Sequence, residues 1–127
     1  MEFSDNQRRA EAVNRYHEKL AALEGLIVPF AHHEGTSSYH LLPIVLPADE
    51  QRPRFMQFLK ERGIQTSIHY PPIHQFTYYR SCTTPAVLPV TEQLGRRLVT
   101  LPLYPHITPQ NIDAVVEAVT AWHSQHV

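Results

Sequence analysis

Hydrophobic residues along this chain switch between helical spacing and dense strand-like runs, and turn residues separate the two patterns. Ser4-x-x-Gln7 has the form of a capping box, and Val13, Tyr16, Leu20 and Leu23 follow at the spacing of one helical face. That pattern predicts a first helix closed by Gly25, its charged back carrying Arg8, Arg9, Glu11, Arg15, Glu18 and Lys19. Tyr39 to Leu46 is apolar at consecutive positions, as in a strand covered on both faces. Pro43 interrupts it and makes it an edge strand or a bulged one. Pro53 to Arg62 predicts a second helix with Phe55, Phe58 and Leu59 inward and Gly63 closing it. Ile64 to Tyr70 predicts the second strand. Residues 71–88 carry no period and form an irregular loop, long for a compact domain and therefore suspect as a functional or docking loop. Pro89 to Arg97 predicts a short helix, and Leu98 to Leu103 a third strand ended by Pro102 and Pro105. Thr108-Pro109 places an N-cap before a proline at the first helical position. Ile112, Val115, Val116, Val119 and Trp122 then mark the clearest amphipathic helix.

The expected order is therefore α-β-α-β-α-β-α. It predicts an α/β (α+β) two-layer sandwich, a small three-stranded sheet with four helices, mainly on one face. Residues 1–127 make a single domain, with 1–25 as a connecting helix. Three strands leave an open face, and the first helix is long for the sheet it could cover. A chain of this pattern is built to lean on something else.

Composition narrows the class. A hydrophobic fraction of 43% and a charged fraction of 18% are those of a globular protein, not a disordered one. A net charge of −1 supplies no field for nucleic acid or an anionic membrane. Cys82 is the one cysteine, so no internal disulfide can form, and a reduced, cytoplasmic setting is the expectation. Met1-Glu2-Phe3-Ser4-Asp5 has the wrong chemistry for a secretory signal. Eleven prolines against four glycines are unusual, and most of the prolines punctuate element boundaries.

The most informative stretch is Gln65 to His74, where a β-type run ends in His69-Tyr70 and two prolines follow. Each proline fixes its own φ and pushes the preceding residue towards extended backbone. His69 and Tyr70 are thereby offered at a strand end with little freedom, although a strand terminator with a solvated histidine would read the same way. Nine histidines invite a metal reading that their spacing does not support. His32-His33 are adjacent, His69 and His74 are split by the Pro-Pro turn, and His123 and His126 sit near a chain end. His17, His32, His33, His123 and His126 are expected to be solvated surface residues. No nucleophile elbow, glycine-rich phosphate loop or carboxylate pair at metal spacing occurs.

Five blocks, in order, resemble the DegT/DnrJ/StrS family of sugar aminotransferases. Arg8-Arg9-Ala10-Glu11-Ala12-Val13-Asn14-Arg15-Tyr16 resembles its "RR…A..Y...L" helix, and Ser38-Tyr39-His40-Leu41-Leu42 its "YHLY" strand. Leu59 to Ile64 with Ser67-Ile68-His69-Tyr70-Pro71-Pro72 is similar to its "L..RGI…HYPP" signature. Leu88 to Glu92 and Leu101-Pro102-Leu103-Tyr104-Pro105 resemble its "P..E…LPL.P" ending. Pro43 departs from the usual strand residues.

The resemblance implies the C-terminal small domain of a fold-type I enzyme whose large domain carries pyridoxal phosphate on a lysine. It implies that His69 and Tyr70, with His74 beside them, contact the sugar or line the substrate cleft, that none of the three transfers protons, and that this chain holds no catalytic, cofactor-binding or metal-binding residue. Lys19 and Lys60, the only lysines, lie on amphipathic helices outside any Schiff-base context, so no covalent cofactor is expected here. The implied partners are an aminotransferase large domain or a second copy, and a nucleotide-sugar only in the intact enzyme, with neither nucleic acid nor membrane. A free-standing ligand-binding or regulatory module and a structural partner subunit stay open as alternatives.

Overall fold

The structure is a computed structural model of the 127-residue chain and describes residues 4–82, 84 and 86–127. Its elements are α1 (Asp5–Leu20), β1 (Leu42–Val45), α2 (Gln51–Lys60), a 3-10 turn (Ile73–Gln75), α3 (Thr77–Cys82), α4 (Pro89–Arg97), β2 (Leu98–Leu101) and α5 (Pro109–His126). The fold is α/β.

Three of the four expected caps, Ser4, Gly63 and Thr108, form where the sequence places them. Ser4 Oγ accepts from Gln7 N–H at 3.3 Å while Gln7 Oε1 accepts from Ser4 N–H at 2.8 Å, which is the full capping box. Thr108 Oγ1 accepts from Asn111 N–H at 3.1 Å at the start of α5. Gly63 closes α2 in a left-handed conformation, with Ile64 N–H returning to Leu59 O and Gly63 N–H to Lys60 O. A side chain there would be strained by φ alone. Gly25 does not close α1. That helix ends at Leu20 with Ala21 as its cap, and Gly25 turns the chain four residues further on.

One sheet face and three helices enclose the core. Leu42 and Ile44 on β1, Leu46 just after it, and Val99 and Leu101 on β2 meet Val13, Tyr16 and Leu20 of α1, Phe55 and Leu59 of α2, and the buried stripe of α5. Trp122 sits edge-on to Phe55 at 5.0 Å and stacks on His126 at 4.7 Å. Burying a side chain of this kind contributes roughly 1.5–3 kcal/mol, which is why the apolar stripes decide the packing. Arg15 of α1 grips Asp113 of α5 through two hydrogen bonds, of 3.0 and 2.8 Å, and Lys19 joins at 3.3 Å.

The sheet is smaller than expected. β1 and β2 pair antiparallel, Leu42 opposite Leu101 and Val45 opposite Leu98, without a bulge. Pro43 faces Thr100 across this ladder. Val45 N–H bonds Ile27 O on the far side, so the nitrogen of Pro43, two residues earlier, also points away from β2, where a missing donor breaks no ladder bond. The third strand expected over Ile64 to Tyr70 reduces to one bridge, Ser67 with Thr100. The next hydrogen-bonded positions would need N–H donors from Leu98 and Pro102. Leu98 N–H caps α4 at Leu94 O, and proline has none. The ladder therefore stops after one rung.

Among the described residues five α-helices form rather than four, because the stretch expected to be irregular over 71–88 holds the 3-10 turn and α3. Neither buries a residue, so neither leaves an amphipathic signature. The histidine expectation holds for His32, His33 and His126, which are exposed, and needs correction for His17 and His123. His17 is half-buried, and burial with nearby His32 pushes its pKa down. His123 Nε2 donates to Glu24 O at 2.7 Å, and His126 covers Trp122.

Candidate functional site

The site grows from the alternation of β2. Val99 and Leu101 point into the core, so Thr100 between them points to the opposite face, where it is nonetheless only 5% exposed. A buried hydroxyl needs a partner. His69 supplies one: its Nδ1 lies 3.0 Å from Thr100 Oγ1, just beyond the Ser67 bridge. His69 and Tyr70 cross edge-on at 5.0 Å, joined by a cis peptide. Tyr70 is 68% exposed.

Pro71 and Pro72 then carry the chain onto α4. A Cβ built on Gly95 would lie 2.6 Å from Pro72 Cγ and 2.9 Å from its Cδ, so the proline ring rests directly on helix backbone. One turn earlier on α4, Glu92 Oε1 accepts from His74 Nε2 at 3.0 Å and from Leu88 N–H at 3.3 Å. The His74 bond, then the Leu88 N–H, hold the Glu92 carboxyl below its ordinary pKa. The His74 side chain keeps 15% of its exposure.

The three expected site residues do not share one cavity. Tyr70 and His74 line a groove of about 590 Å³ with Pro72, Ile73, Tyr79 and Arg80. His69 lines another, of about 640 Å³, with His40, Gln65, Tyr104 and Asn111. Tyr79 and Arg80 had escaped sequence reasoning because α3 has no period. Glu92 lies in the "P..E" block, but its tie to His74 spans eighteen residues and has no local signal. Among the described residues no group of three His, Cys, Asp or Glu side chains could hold a metal. Among the same residues no helix is long and apolar enough to cross a membrane.

The surface around the first groove is unusual. Residues 70–94 carry two formal charges, Arg80 and Glu92. They also hold most of the exposed large hydrophobics among the described residues, including Tyr70, Ile73, Tyr78, Val87 and Val90. α3 and α4 bury nothing. A surface of that composition suits contact with a partner more than contact with water.

Comparison with known proteins places the chain. Residues 4–120 match the model of the DegT/DnrJ/EryC1/StrS aminotransferase family, and the chain belongs to that family. It is 36% identical over 121 residues to the spore coat polysaccharide biosynthesis protein SpsC of Bacillus subtilis, covering 89% of this chain and 31% of that protein. An uncharacterized protein of Methanocaldococcus jannaschii is 33% identical over 118 residues, with the same coverage of 89% and 31%. Among solved structures, DesV of S. venezuelae, determined with a ketimine intermediate, superposes with a TM-score of 0.84 at 31% identity over 93% of this chain and 32% of its own. The aminotransferase TlmJ of Streptoalloteichus hindustanus gives 0.85 at 26% identity, over 94% of this chain and 32% of its own. The chain thus spans about a third of the length of the relatives it matches.

The family depends on pyridoxal phosphate, which is carried on a lysine, and this chain has two lysines, Lys19 and Lys60. Lys19 is paired with Asp113 on the outer side of α1 and α5. Lys60 is exposed at the end of α2 and lines a groove with Pro53, Met56, Gln57, Ile64 and Gln65, none of which carries a charge. A Schiff base to pyridoxal needs a free lysine, a carboxylate for the pyridine nitrogen and donors for the phosphate. The carboxylate beside Lys19 is already taken by Lys19 and Arg15, and the groove at Lys60 offers no carboxylate.

Proposed function

We propose that this chain is the small domain of a pyridoxal-phosphate-dependent nucleotide-sugar aminotransferase and is inactive until a large domain completes it. In this reading Tyr70 and His74 line the sugar-facing wall of the completed cleft, and His69 braces that wall from behind. The observation that carries the proposal is the Tyr70–His74 groove, set in a segment that is apolar, charge-poor and exposed. A tyrosine offers a sugar a flat apolar ring and one hydroxyl that donates and accepts. Arg80 adds a cation at the rim of the same groove, suited to a phosphate or carboxylate. The chain's own part is to bind and orient, since it brings no lysine to the chemistry.

Complementation tests this. DesV lacking the third that this chain matches is mixed with the chain, and association and amino transfer to a nucleotide-sugar are followed. The expected result is a complex whose KM for the sugar rises at least fivefold on Tyr70→Ala, with kcat less affected. No association, or a KM indifferent to both Tyr70→Ala and His74→Ala, would overturn the reading.

A further inference from the structure

We infer that Glu92, Gly95 and Thr100 are positioning residues that together fix where Tyr70 stands. The inference rests on the proposal above only for its functional meaning; the geometry is separate. Residues 92–100, continuous through α4 into β2, meet residues 74–69 in reverse order: Glu92 with His74, Gly95 with Pro72, and Thr100 with His69. Glu92 and Gly95 are three apart and share one helix face, as this needs. Tyr70 lies between the Pro72 and His69 contacts, with its own side chain open to solvent.

A ruler must itself be fixed. α4 buries no residue, yet its C-terminal end is tied to the domain body from three places. Arg52 of α2 donates to Gly95 O and, at 3.4 Å, to Leu98 O. Asp49 takes Arg97 Nε at 2.6 Å and Arg96 Nε at 2.8 Å. Leu46 N–H bonds Arg97 O at 3.1 Å. Anything that moves α4 therefore moves Pro72 and His74, and with them the groove.

Gly95 gives a test with a sign in it. Replacing glycine by alanine inside a helix is ordinarily favourable. Here the new methyl meets the Pro72 ring. Gly95→Ala should lower the denaturation midpoint of the chain, whereas the same change made on top of Pro72→Ala should raise it. Side-chain NMR supplies a readout that general loosening would not give. Gly95→Ala should shift the Tyr70 ring and His74 imidazole resonances and leave the Trp122 indole in place, and adding Pro72→Ala should bring His74 back. Glu92→Ala should move the same two resonances, and Glu92→Gln, which keeps the accepting oxygen, should restore them. If Gly95→Ala raises the midpoint in both backgrounds, or leaves Tyr70 and His74 unmoved, the positioning role is wrong whatever those residues bind. If the resonances respond as stated while the complemented enzyme ignores Tyr70→Ala and His74→Ala, the cleft reading fails and the positioning role stands.

Discussion

His69 and Thr100 complete each other across the edge of the sheet. The threonine hydroxyl is buried on the face opposite the core, and the imidazole Nδ1 at 3.0 Å is its hydrogen-bond partner. His69 is therefore neither a free loop residue nor a core residue, and its removal strands a buried hydroxyl. His69→Ala should cost about 1–3 kcal/mol, well above the half kcal/mol or so of an exposed change. The double variant with Thr100→Val should cost less than the sum of the two single changes, by about 0.5 kcal/mol or more. Urea unfolding of the four proteins measures this cycle, and strict additivity would deny the pair.

Tyr16 makes the corresponding test for the core. Its hydroxyl donates to Pro102 O at 2.9 Å, from a ring with no exposed surface, and joins α1 to the chain leaving β2. Burial raises its pKa far above the ordinary phenol range, so it keeps its proton at any physiological pH. Tyr16→Phe should retain the packing and lose the bond, at a cost of about 0.5–1.5 kcal/mol in equilibrium unfolding.

Residues whose role is local were legible in the sequence. The Ser4 and Thr108 caps and the α5 stripe from Ile112 to Trp122 depend on neighbours within a turn or two, and all of them form. The third strand was not legible, because whether Ile64 to Tyr70 can pair depends on donors held elsewhere, by Leu98 and Pro102. α3 was hidden because it packs no side chain and so has no period. At the site, His69, Tyr70 and His74 stood out through their proline neighbours. What separates His69 from the other two is set by Thr100, thirty-one residues beyond His69, and by Glu92, eighteen residues beyond His74.

Acid should weaken the domain through its paired carboxylates, Asp113 and Asp49 as well as Glu92 on α4. Arg15, then Lys19, hold Asp113 below its usual pKa, and Arg97 and Arg96 do the same for Asp49. A carboxylate with a lowered folded-state pKa adds stability that is fully present above its unfolded value, about 3.9, and is lost as pH falls through the folded one. Through these carboxylates the denaturant midpoint should fall below about pH 4, after a shallower loss that starts below about 6.5, where burial makes His17 harder to protonate in the folded chain. Asp113→Asn should flatten that fall, and an unchanged slope would remove Asp113 from the explanation. Added salt should reduce the contribution at neutral pH, since both pairs are partly exposed.

Pyridoxal phosphate mixed with the chain alone should give no site-specific aldimine. Lys19 is engaged by Asp113, and Lys60 stands in the open. Borohydride reduction followed by peptide mapping should find labelling that is weak and spread over amines. Stoichiometric labelling of one lysine, with turnover of an amino donor, would overturn the expectation.

Self-association provides the remaining test, and it follows from the exposed apolar surface of residues 70–94. Residues 70–94 expose Tyr78 at 70%, Val87 at 80% and Val90 at 69%, in a segment with two charges. Exposed apolar area of a few hundred Å² or more favours association when no partner is present. The isolated chain should therefore sediment with a concentration-dependent mass. Tyr78→Ser together with Val90→Lys should shift it towards the monomer. Because both side chains project into solvent, each change should alter unfolding stability by no more than about 0.5 kcal/mol, so lost association could not be blamed on lost folding. The same double variant should also weaken binding to the truncated DesV, if one surface serves both contacts. A chain that stays monomeric at every concentration, or a double variant that associates as before, would place the docking surface elsewhere on the domain.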